Sequence, residues 1–167
     1  RLRKSERQGR LRLRRELHRL TMTVRDARLD DVGAWAAMRA RLWPDADATD
    51  LALELPAMLA DPTLWNFMLT DADDRVVGFA EVQLRTMFDG CVVPPYPHIE
   101  GIWIDAGHRR VGAGRQLLAA IEERARAGGY TQIGSDVELD NLGSQAWHEA
   151  CGFGEEVRTI LYAKSLD

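Results

Sequence analysis

The amino-acid sequence predicts an α/β fold, of the α+β kind with one mixed sheet on which helices pack. Three observations carry this. An apolar strand beginning at His98 runs through a glycine-broken turn into an amphipathic helix that reaches Arg126. A second apolar run follows that helix, so the two flanking strands are expected to be parallel neighbours joined by a right-handed crossover. Upstream, short apolar runs separated by Asp-rich turns alternate with stretches of helical period.

Taken in order, the compact part opens with a strand over 23–28. A helix over 31–42 follows, capped by Asp30 or Asp31, and then a second helix over 51–59. Strands over 65–70 and 75–84 are joined by the turn Asp71-Ala72-Asp73-Asp74. A loop with Pro94, Pro95 and Pro97 precedes the strand over 98–105. Behind Gly112 and Gly114, residues Leu117, Leu118, Ile121 and Ala125 share one helical face, while Arg115, Glu122 and Glu123 fall off it. The consecutive Gly128 and Gly129 stop this helix. A strand over 131–137, a helix over 141–151 and two closing strands within 155–165 complete the pattern.

With 167 residues, five tryptophans and 46% hydrophobic side chains, the chain reads as one globular domain with a sizeable core. No apolar run approaches the roughly 18 residues needed to span a bilayer, so no membrane partner is expected. Cys91 and Cys151 lack metal-ligand or paired spacing, which excludes a zinc site or a disulfide framework and points to the cytoplasm. No metal is expected.

The net charge of -4 hides an uneven split. Residues 1–21 carry nine Lys/Arg against Glu6 and Glu16, so 22–167 hold 13 basic and 24 acidic side chains. Residues 1–21 read as a basic extension, non-native or dispensable, and 22–167 as the domain. An RNA-binding or targeting arm is the alternative for the extension. The acidic body suits a cationic partner by electrostatic steering.

The strand-turn-helix from His98 is also the candidate site. Glycines at 112 and 114 leave backbone N–H groups free to converge on an anion, and the helix dipole adds to their pull. No Gly-Lys-Ser/Thr follows, and the spacing is not G-x-G-x-x-G, which excludes the common nucleotide loops. Arg109-x-x-Gly112-x-Gly114 instead resembles the acyl-CoA pyrophosphate loop of the GNAT superfamily of N-acetyltransferases.

The likeness extends to Ile99-Glu100-Gly101-Ile102, His108 through Gly114, and Gly134-Ser135-Asp136 with Asn141, Ser144, His148, Gly152 and Phe153. Arg41-Leu42-Trp43-Pro44 and Asp89-Gly90-Cys91 add to it. Together these segments resemble bacterial aminoglycoside 6'-N-acetyltransferases. That resemblance implies a mostly antiparallel central sheet whose central parallel pair is splayed for acetyl-CoA. It also implies transfer of acetyl from acetyl-CoA to a 6'-amine by direct attack in a ternary complex, and a homodimer.

Acetyl transfer to an amine requires a proton acceptor, a polarised carbonyl and a route for the thiolate to leave. Glu100, a carboxylate inside an apolar strand, is a candidate to bind the ammonium and take its proton; pairing with an arginine is the alternative. Asp136, at the end of the next strand, is a candidate acceptor ligand and, as the resemblance implies, a catalytic residue; capping the helix near Asn141 is the alternative. His148 stands where many members carry a tyrosine that protonates the sulfur, although a lone helical histidine is more often a surface or packing residue. Acetyl-CoA is expected along Ile102, Trp103 and Ile104, at Arg109, Arg110, Val111, Gly112, Ala113, Gly114 and Arg115, and at Asn141 and Ser144, unless Asn141 only caps its helix. Trp43, followed by Asp45, Asp47 and Asp50, is the candidate acceptor wall. Met87 stands where the resembling enzymes often carry tyrosine, and is included among substrate-binding residues. The rival readings are acetylation of another small amine or a protein N-terminus, and a CoA-sensing or RNA-binding module; nucleic acid is not expected as a partner.

Overall fold

The computed structural model describes residues 22–87 and 93–166. The basic extension, Phe88 and the Asp89-Gly90-Cys91 motif lie outside the described residues. Strand β1 is Thr23–Asp26, β2 Leu64–Thr70, β3 Val76–Arg85, β4 Tyr96–Ile104 and β5 Gly134–Ser135. Among the described residues they form one mixed sheet in the order β1-β2-β3-β4-β5, antiparallel except for the final parallel pair.

Helix α1 is Val32–Leu42. Asp31 secures its entry: the carboxylate accepts from Arg28 N–H at 2.7 Å and from both ends of the Arg25 guanidinium at 2.7 and 2.8 Å. The single helix expected over 51–59 is instead two short ones, α2 at Ala48–Leu53 and α3 at Leu55–Ala60. Asp47 starts α2 by accepting from Thr49 N–H and Asp50 N–H, and Pro56 sits in the first turn of α3, where its missing N–H does no harm.

Helix α4, Ala113–Ala127, crosses one face of the sheet. Its buried Leu117, Leu118, Ile121 and Ala125 meet Phe67, Leu69, Val82 and Ile99. The opposite face carries Trp35 and Met38 of α1 and Leu55 of α3 against Met68 and Phe79. Phe67, Met68 and Leu69 thus alternate between two cores, as the period of a strand covered on both sides demands.

Strand β4 contains one extra residue. Val82 faces Ile99 and Glu81 faces Gly101, so Glu100 has no partner of its own on β3 and forms a bulge. Beyond the bulge β4 and β5 part. Their pairing is confined to His98 with Gly134 and Ile99 with Ser135, although β4 runs on to Ile104. The strand expected over 131–137 is therefore reduced to two residues, because a parallel ladder cannot continue once its neighbour turns away.

Helix α5, Leu142–Ala150, follows. The two strands expected within 155–165 are not formed. Ile160, Leu161 and Tyr162 are 67%, 90% and 89% exposed, and no ladder in the described residues reaches them. Alternating apolar residues indicate a face that prefers burial, and here no neighbouring strand supplies it. Among the described residues no helix is long and apolar enough to cross a membrane.

Candidate active site

The turn between β4 and α4 has the backbone its glycines suggest. Gly112 takes φ 94° and, without a Cβ, does so at little cost; Arg110 takes φ 62°. The first backbone bond of α4 is donated by Gln116 N–H to Gly112 O at 3.1 Å, so the N–H groups ahead of it have no partner within the helix. Several donors and the positive end of a 15-residue helix thus face one spot, a donor set that fits a diphosphate.

The side chains around the turn hold it in shape. Arg109 donates from Nε to Ile104 O at 2.6 Å and its guanidinium lies 4.6 Å from the Trp103 ring centre, so this arginine braces the turn against β4. Arg115 donates to Ala150 O, tying α4 to α5. Val111 and Ala113 pack toward the core. Gly114 permits the close approach of α5: a Cβ there would stand 3.2 Å from Trp147 Nε1. Asn141 does cap α5, accepting from Ser144 N–H at 3.1 Å.

Beside the fork at which β4 and β5 part lies a cavity of about 670 Å³ that brings together Trp43, Glu100 and Asp136. Trp43 presses its ring toward Gly101 and is covered by the Arg39 guanidinium at 5.1 Å. Gly101 has to be side-chain-free here, since a Cβ would fall 2.8 Å from Trp43 Cζ2. Glu100 lines the cavity while both its oxygens accept from Arg85, from Nε at 2.8 Å and from Nη2 at 2.5 Å. The arginine-paired reading and the cavity-facing reading of this carboxylate therefore hold together.

Asp136 reaches the cavity from the loop after β5. Its Oδ1 is 2.5 Å from Nε2 of His98, a fully buried residue of β4. The hydrogen bond from His98 holds the Asp136 carboxyl below its ordinary value, outweighing the opposing effect of burial.

Sequence reasoning missed much of the acid in this cavity. Glu81, Glu54 and Asp61 line it, whereas Asp45, Asp47 and Asp50 do not; Asp47 is occupied in capping α2. Glu81 is the most buried of these acids. Its Oε1 accepts from Trp35 Nε1 at 2.7 Å and lies 3.0 Å from Arg39 Nε. Burial pushes its carboxyl up to about 7 against the pull of Arg39 and the Trp35 hydrogen bond. The only sequence signal for Glu81 was an acid inside Phe79-Ala80-Glu81-Val82, and His98 had none beyond a polar residue opening an apolar strand.

Two candidates stand apart from the cavity. Met87 is 85% exposed and does not contribute to the lining. His148 lies at the fork instead, with Nδ1 2.8 Å from Ser144 O and Nε2 2.9 Å from Ser135 Oγ, edge-on to Trp147 and Phe153. Both ring nitrogens are engaged, so His148 is packed and also stands where β4 and β5 separate.

A family model described as the acetyltransferase (GNAT) family matches residues 32–153, which spans the helices around Trp43, the bulged strand, the glycine turn and α5. The chain belongs to the GNAT family of acetyltransferases. It is 38% identical over 138 residues to the aminoglycoside N(6')-acetyltransferase type 1 of Serratia marcescens, covering 82% of this chain and 94% of that protein. The protein of the same name from Stenotrophomonas maltophilia is 38% identical over 146 residues, covering 87% and 94%. Among solved structures, AAC(6')-Iy in complex with the bisubstrate analogue CoA-S-monomethyl-acetylneamine superposes with TM-score 0.81 at 29% identity, covering 87% of this chain and 99% of that one. The aminoglycoside 6'-N-acetyltransferase AAC(6')-Ih from Acinetobacter baumannii gives 0.80 at 26% identity, covering 87% and 99%. The GNAT assignment makes the chain an acetyl-CoA-dependent N-acetyltransferase.

Proposed function

We propose that this GNAT enzyme acetylates the 6'-amine of aminoglycosides, by direct attack within a ternary complex. One observation carries the reading. The cavity beside the fork is lined by Trp43 and by the carboxylates Glu54, Asp61, Glu81, Glu100 and Asp136, a setting for a polycationic sugar. An aromatic face covers the ring while carboxylates meet its ammonium groups. The relatives and solved structures named for aminoglycoside acetylation support the same acceptor.

When bound, acetyl-CoA supplies an activated thioester carbonyl. The turn residues Arg109 to Arg115 bind its diphosphate, chiefly through main-chain N–H groups, and Ile102, Trp103 and Ile104 guide the chain that follows, with Asn141 and Ser144 on the far wall. Main-chain N–H groups around Gly101 to Trp103 polarise the carbonyl, since beyond Ile99 the edge of β4 toward β5 has no ladder partner among the described residues. Glu100 and Asp136 bind the acceptor ammonium and, directly or through water, take its proton. His148, through Ser135, returns a proton to the departing thiolate.

The reading includes a cytoplasmic location and a homodimer, in which a second copy covers the exposed Ile160, Leu161 and Tyr162. Release of CoA tests the main claim. Turnover is expected with aminoglycosides bearing a 6'-amine and little with matched 6'-hydroxyl compounds or spermidine. Equal rates on spermidine would identify a general polyamine acetyltransferase instead. Sedimentation velocity checks the dimer.

A further inference from the structure

Asp136 is an unusual ligand for a cavity wall. It follows a strand of only two residues, it sits on a loop, and its side chain is 69% exposed. A carboxylate so attached samples several rotamers, and each must be given up when an acceptor binds. The structure answers this with His98. That residue is fully buried in the middle of the sheet, beside Gln83 on β3 and Gly134 on β5, and its Nε2 is 2.5 Å from Asp136 Oδ1.

We infer that His98 is a positioning residue for acetyl transfer: a buried imidazole on a rigid strand that fixes the Asp136 carboxylate at the acceptor cavity. With Asp136 ionised, Nε2 carries the proton and donates it in a charge-assisted hydrogen bond. The bond occupies Oδ1 and leaves the other oxygen for an incoming ammonium. The parallel pairing of His98 with Gly134 brings the imidazole and the root of the loop to one level of the sheet, so the clamp acts where β4 and β5 are still joined. Glu100 is held in a comparable way by the Arg85 guanidinium. Two acceptor carboxylates thus have separate anchors on the two longest strands, β3 and β4.

The inference rests on the reading of Asp136 as an acceptor ligand, and the test keeps the two apart. His98→Phe removes the donor and retains an aromatic filler. Steady-state kinetics with a 6'-amino aminoglycoside should show kcat/KM for the acceptor lowered about ten-fold, with the acetyl-CoA KM within about two-fold of the parent, because the displaced carboxylate serves the acceptor and not the cofactor. His98→Gln, whose amide can still donate, should retain most of the acceptor affinity, and it also serves if His98→Phe does not fold by circular dichroism. In an Asp136→Ala background, His98→Phe should add nothing further. Additive losses in the double variant, or equal damage to acceptor and acetyl-CoA kinetics, would overturn the positioning role while leaving Asp136 as a ligand. Unchanged acceptor kinetics in Asp136→Ala alone would overturn the underlying reading, and this inference with it.

Discussion

Glu81 offers a prediction whose size follows from its surroundings. Its side chain is 4% exposed, held by Trp35 and Arg39, and burial moves its carboxyl from the ordinary 4.5 to about 7. The folded protein therefore binds this proton more tightly than the unfolded chain does. The stability gained in this way is complete below about pH 4.5 and is lost as pH rises through about 7. Each pKa unit is worth about 1.4 kcal/mol, so the change between pH 5 and pH 8 amounts to about 2 to 3 kcal/mol from this one group. Glu81→Gln keeps an oxygen for Trp35 but cannot titrate. Urea unfolding followed by the fluorescence of the five tryptophans, at several values between pH 5 and 8, should show the parent losing about that much more stability than the variant across the range. Parallel curves for the two proteins would refute the argument and make Glu81 an ordinary ionised partner of Arg39.

Other perturbations have equally definite outcomes. Gly112→Val forces a β-branched residue into φ 94° at the start of α4, a strain of about 1–2 kcal/mol or more, and should weaken acetyl-CoA binding at least about ten-fold by calorimetry. Gly101→Ala puts a methyl 2.8 Å from Leu42 Cδ2 and Trp43 Cζ2; overpacking should cost about 1–3 kcal/mol in thermal unfolding and raise the acceptor KM as Trp43 shifts. Removing residues 1–21 should leave CoA-release rates unchanged, and a loss of turnover would give the basic extension a part in the reaction.

What was legible in the sequence was local. The turn and the helix behind it are one continuous segment, so glycine positions and a 3.6-residue period define them without reference to anything distant. The same holds for Glu100, an acid alone among apolar strand residues. The rest of the cavity depends on chain crossings. Glu54 and Asp61 arrive with short helices whose packing on the sheet has no period to read, and Glu81 meets Arg39 only because α1 lies over β3. The acids after Trp43 looked equally suited to a cationic acceptor, but Asp47 answered a nearer need, the free N–H groups of α2. His98 illustrates the same point from the core: a buried imidazole is recognised by what it touches, and its partner lies 38 residues away.

The unmatched Glu100 also sets the phase of everything after it. Because that position has no counterpart on β3, Glu100 and Gly101 open toward the same side of the sheet, and Ile102 and Ile104 return to the core that Ile99 already occupies. Were Glu100 instead paired in register with β3, Trp103 would exchange faces with Ile102 and Ile104. The bulge is consequently what lets a strand with one residue more than its partner keep its isoleucines in step with the core. The surplus residue is taken up on the cavity side alone, so this nine-residue segment presents an added carboxylate there while the opposite face keeps its spacing.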